Sequence, residues 1–155
     1  MNLIVRRQEN RLSKLVWVPG GKTIESALND AEAGVASLVA VYHASIHSKL
    51  TELLEVASQA HPESSQVAGL YQLAVEVADT AGTLTMKELA AGALGLADLL
   101  QFCGDNGAWN WPAVQVHARG LLVLADASAV NEEGRAIVLE GLNKVRERVF
   151  GIESK

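Results

Sequence analysis

Apolar residues recur every three or four positions through most of this chain, and no comparable run alternates with a period of two. That spacing is the periodicity of one helix face, so the chain is constrained to bury helices against helices. The pattern is densest from Leu70 to Cys103. The helix that enters it carries Val67, Leu70, Tyr71, Ala74, Val77, Ala78 and Ala81. The second half of the stretch carries Leu89, Ala93, Leu96, Leu100 and Cys103. A break at 81–84 predicts a hairpin of two amphipathic helices. Thr85 followed three residues later by Glu88 predicts a capping box at the start of the second.

Read in order, the chain predicts five helices. The first runs over 23–58, with Thr23 as N-cap and Glu25 in the first turn. Its stripe is Ile24, Leu28, Ala31, Val35, Leu38, Tyr42, Ile46, Leu50, Leu53 and Ala57. At 1.5 Å per residue it would be about 50 Å long, more than a compact bundle needs, so its start is expected either to be a separate turn or to project. The second helix is predicted over 62–81 and the third over 86–103, with Gly104 as its C′ residue. The fourth opens at Asn110 or Trp111 and ends near Ala125, presenting Val114, His117, Leu121 and Leu124 on one face. The fifth starts at the N-cap Asn131, with Glu132 and Glu133 behind it, and ends near Phe150. Its stripe is Ile137 or Val138, then Leu142, Val145 and Val149. The expected fold class is all-α, an up-and-down helical bundle with a long first helix. Residues 1–22 form a basic arm, 23–150 a single helical-bundle domain and 151–155 a tail.

At 155 residues the chain can bury one sizeable core. Ala, Leu and Val supply it, and aromatics are few, which suits close helix packing. A single cysteine excludes an internal disulfide. No apolar run is long enough to span a bilayer, and the two N-terminal arginines lack the apolar stretch of a signal peptide. These features predict a cytoplasmic protein with no membrane partner. The net charge of −5 is unevenly placed. Arg6, Arg7, Arg11, Lys14 and Lys22 stand near the start, so the body is clearly acidic. Such a body disfavours nucleic acid as a partner.

Few side chains suggest chemistry. Pro19-Gly20-Gly21 lacks the spacing of a phosphate loop. His43 and His47 share a helix face at metal-ligand spacing, but a third and fourth ligand would have to converge, so a surface or interface pair is favoured. His117 lies on an apolar face, as expected of a hydrogen-bonded, half-buried histidine. Cys103 sits on an apolar stripe and reads as core. Glu76 and Asp79 could form an acid/base pair by spacing alone, but a solvated helix face explains them. Trp109 and Trp111 read as packing anchors or interface hot spots. No enzyme activity, cofactor or metal is expected.

The 70–103 hairpin resembles the core of the histidine phosphotransfer (HPt) domain, whose pattern is roughly H-x-L-K-G-x-A-x-x-L-G followed by a leucine-rich helix. Ala81, Leu84, Leu89, Ala93, Leu96, Leu99 and Leu100 match the second half of that pattern. Aligned on Ala81 and Leu84, the phospho-accepting His falls on Val75, the Lys on Ala78 and the Gly on Asp79. Further matches are Pro19-Gly20-Gly21-x-Thr23-Ile24-x-x-Ala27, Leu70-Tyr71, Trp111-x-Ala113-Val114-x-Val116-His117 and Val138-Leu139-x-Gly141-Leu142-x-x-Val145. Together they resemble HPt-like proteins of alphaproteobacterial chemotaxis clusters, the CheE type.

The resemblance implies a two-component signalling accessory that docks a response-regulator receiver domain or a histidine kinase without accepting phosphate. The docking face would be Gln72, Val75, Glu76, Asp79 and Thr83, with Val75 near the solvent side. Glu76 and Asp79 would repel a phosphoryl group there. Two alternatives remain. One is a phosphotransferase that uses His43, His47 or His117. The other is a structural module that forms a homodimer through its first helix, which unshared apolar surface on that helix would favour.

Overall fold

A computed structural model describes residues 22–59, 64–126, 128 and 130–151. The N-terminal arginines, the Pro-Gly-Gly turn, His61 and Pro62 lie outside the described residues. Among these residues the fold is an all-helical, up-and-down bundle of α1 (Ile24–Ala57), α2 (Ser64–Thr83), α3 (Lys87–Asn106), α4 (Trp111–Ala125) and α5 (Glu132–Phe150). The chain divides into two units, Met1–Leu38 and Val39–Lys155.

In the second unit, α3 packs on α2, α4 and α5, and α4 packs on α5. The reason lies in α3's composition. Gly92, Ala93, Gly95, Leu96, Ala97, Leu99 and Leu100 are all buried, so this helix buries a broad face and leaves Ala91, Leu94, Asp98 and Gln101 as its exposed stripe. Small residues let its neighbours come close. A methyl added at Gly92 would sit 3.0 Å from Leu121, and one at Gly120 only 2.8 Å from Leu142. Leu142 of α5 thus fills the space beside a glycine of α4. Arg146 Nη1 adds a 3.0 Å ion pair to Asp98 Oδ2 of α3, and the Phe102 and Phe150 rings meet at 4.4 Å. Ile46, Leu50, Leu53 and Ala57 complete the core from the C-terminal part of α1.

Several ends form as their side chains dictate. Thr23 Oγ1 accepts from the Ser26 amide at 3.1 Å. Asn110 and Asn131 cap α4 and α5, accepting from the amides of Ala113 and Gly134. On the α5 stripe Val138 packs on the core, while Ile137 stays 63% exposed.

Two expectations are corrected. Thr85 caps nothing: α3 starts after Met86, and no side chain caps it. Thr85 instead has φ 59°, and the Thr85 and Met86 amides donate to the carbonyls of Gly82 and Ala81. That is a Schellman closure of α2, with Thr85 in the position that usually holds glycine. A residue held left-handed to end one helix lacks the extended backbone needed to cap the next. Likewise α3 continues through Gly104, and Gly107, at φ 64°, ends it by donating to the Gly104 carbonyl. The first part of the α1 stripe is not buried. Ile24, Leu28, Val35, Leu38 and Tyr42 are exposed, and burial begins at Ile46.

Candidate functional site

The α2 face that faces away from the bundle follows from its apolar spacing. Leu70, Ala74, Val77, Ala78 and Ala81 turn inward, which leaves Gln72, Asp79 and Thr83 exposed. Val75 is only half-buried and packs against the core, so it is less exposed than its polar neighbours predicted. It lies on the flank of the inward stripe, one residue from Ala74, where a β-branched side chain can reach both the core and water.

Around Val75 the face is polar and ordered. Gln72 Nε2 donates to Glu76 Oε1 at 3.0 Å, and Lys49 Nζ of α1 lies 3.0 Å from Glu76 Oε2. The Gln72 hydrogen bond, with the bond and charge of Lys49, holds the Glu76 carboxyl below its ordinary value of 4.5. Thr80 and Thr83 turn their hydroxyls back onto the carbonyls of Glu76 and Asp79. Lys49 changes the electrostatics expected of this face. Glu76 and Asp79 do not stand as two uncompensated carboxylates, because a cation from another helix sits against the first.

The histidines are dispersed. His117 is 1% exposed, and its Nδ1 lies 3.1 Å from the Ala113 carbonyl, so the ring donates there. Burial pushes its pKa below the ordinary 6.5, the Ala113 bond opposing and the nearby Arg146 charge assisting. Deeper than the half-burial expected, it cannot meet a receiver's phosphoryl group without opening α4. His47 is exposed, and His43 is half-buried beside Thr85, Glu88 and Arg135, lining a cavity of about 210 Å³. No group of three or more His, Cys, Asp or Glu able to hold a metal occurs among the described residues. Cys103 is buried in the core.

Sequence reasoning missed two features. One is Lys49, which lies on the helix before that of Glu76. Its only signal was a position beside the buried Leu50. The other is a groove of about 470 Å³ near the start of α2, lined by Val67, Tyr71, Leu100, Gln101 and Trp109. The Trp109 ring stacks on Trp111 at 5.3 Å, and Trp111 packs on the core. Among the described residues, no helix is long and apolar enough to cross a membrane.

No family model, curated protein or solved structure matches this chain.

Proposed function

We propose that this chain is a non-catalytic docking module of a two-component or chemotaxis signalling system. It binds a receiver domain or histidine kinase through the α2 face of Gln72, Val75, Glu76, Asp79 and Thr83, and it transfers no phosphate. The observation that carries the reading is the make-up of that face. A half-buried apolar residue, Val75, stands where the HPt pattern puts its histidine, framed by ordered polar side chains. Such a frame offers contact area and hydrogen bonds, but no nucleophile. Lys49 at the edge offsets the Glu76 charge, which lessens repulsion from the acidic pocket of a receiver.

The burial of His117 also supports the non-catalytic form, since it removes that histidine from reach. The test is to mix the purified chain with phosphorylated receiver domains and follow complex formation and label transfer together. Binding without transfer is expected. Transfer to an acid-labile phosphohistidine would overturn the reading, and mapping it to His43 or His47 would name the acceptor. Absence of both binding and transfer would leave the docking proposal without a partner and sink it.

A further inference from the structure

From Ile24 to Tyr42 every residue of α1 is exposed apart from half-buried Ser26. The apolar side chains in this stretch are not scattered. Ile24, Leu28, Ala31, Val35, Leu38 and Tyr42 follow one another in steps of four, three, four, three and four. This is a seven-residue repeat with both seam positions apolar. Exposure along it is large: 83% at Ile24, 54% at Leu28, 61% at Val35 and 56% at Leu38. Most helical stability in proteins comes from packing an apolar face, and this stretch buries none among the described residues. Val39 and Val41 on its flanks are exposed too, so the apolar surface is widest towards Tyr42.

We infer that two copies of this chain associate through this seam, side by side and in the same direction. Three observations select a second copy. First, a two-fold pair presents the same stripe from both sides, so Leu28, Val35 and Leu38 each meet their own equivalents. Val35 and Leu38 hold the β-branched and leucine choice that favours two strands; Leu28 and Ile24, at the start of the seam, do not. Second, the exposed apolar surface on two copies comes to roughly 1,000 Å², the lower range for a specific interface. Third, the flanking charges fit the direction. One flank is Glu25, Glu32 and Val39, and the other is Ala27, Gly34 and Val41. In a same-direction pair opposite flanks meet, which sets Glu32 against Ala27 of the second copy. A reversed pair would set Glu32 against Glu32.

The test is sedimentation velocity of the full chain from about 1 to about 200 µM, with far-UV circular dichroism to follow the helical body. A concentration-dependent dimer is expected. Val35→Glu should raise its dissociation constant at least about tenfold without changing the melting of the body, because Val35 lies outside the core. Ala31→Leu should tighten the dimer. Oxidised A31C should crosslink, since position 31 meets its own equivalent in a same-direction pair. A wild-type monomer at the highest concentration overturns the inference. So does a dimer that survives both Val35→Glu and Leu38→Glu, and a dimer that never crosslinks at position 31 overturns its direction. Receiver binding plays no part in these readouts, so failure here leaves the docking proposal intact.

Discussion

Lys49 Nζ lies 3.0 Å from Glu76 Oε2, joining α1 to α2 at the edge of the proposed docking face. Gln72 holds the other carboxylate oxygen. The pair is partly open to solvent, so it orders the face more than it stabilises the fold. Carbon-detected NMR titration should find Glu76 below its ordinary 4.5. Gln72→Ala and Lys49→Ala should each move it upward. An unshifted Glu76 in the wild-type chain would mean that the three side chains do not hold this arrangement in solution.

Val75→Arg should weaken receiver binding by at least about tenfold, because it puts charge and bulk into the middle of the face. Val75 touches the core, so a modest fall in Tm is expected too, eased by the ability of the arginine stem to reach water. Receiver affinity equal to wild type, measured by calorimetry on the folded variant, would place the docking face elsewhere.

Thr85 is a β-branched residue in a left-handed conformation. Thr85→Gly should relieve a clash between its Cβ and the backbone and stabilise the chain by about 1 kcal/mol, after the entropy that glycine loses on folding. Urea melts would read it as a higher midpoint at unchanged slope. Destabilisation would show that the threonine hydroxyl does something that the backbone geometry does not reveal.

The Thr85 site also marks where sequence reasoning reaches its limit. Asn110 and Asn131 could be assigned because a cap is a local decision between one side chain and an amide three residues on. Thr85 had two local options, to start α3 or to close α2, and the periodicity of the flanking helices does not choose between them. Gly104 and Gly107 posed the same choice, and α3 ran on to the later one. The five helices and most of the core were readable because a repeating stripe is a property of one segment. Lys49 beside Glu76 was not, because it depends on which helices become neighbours. The α1 stripe continues without a break from Ile24 to Ala57, yet only its last part meets a core.

Gly120→Ala tests the close approach of α4 and α5. Alanine gains about 1 kcal/mol in helix propensity, but its methyl would meet Leu142 Cδ2 at 2.8 Å and Cγ at 3.2 Å. Leu142 is buried and must shift as a whole, so a net loss of about 1 kcal/mol is expected. In a Leu142→Ala background the same change should become stabilising. If the sign does not reverse, the contact with Leu142 is not the cause.

His117 should make stability depend on pH. Its folded pKa is depressed by burial below 6.5, so the native state holds it neutral while the unfolded chain takes up a proton. Stability is therefore fully present above about pH 6.5 and falls as pH drops below that value, approaching about 1.4 kcal/mol per pH unit at most. The loss continues down to the folded pKa. Denaturant melts between pH 7.5 and pH 5 should show this fall in the wild type, and His117→Gln should flatten it. An equal slope in both proteins would assign the effect to other groups.

The broad buried face of α3 has a kinetic consequence. Gly92, Leu96, Leu99 and Cys103 are buried, while Ala91, Leu94, Asp98 and Gln101 form its exposed stripe. Amide hydrogens along its middle can exchange with solvent only when the whole body opens. Upstream of Ile46, α1 has no buried side chain, and its amides can exchange by unwinding turn by turn. One polypeptide should therefore keep two clocks, a slow one set by global opening and a fast one set by the end of a single helix. A partner that covers α1 would bring the second into step with the first.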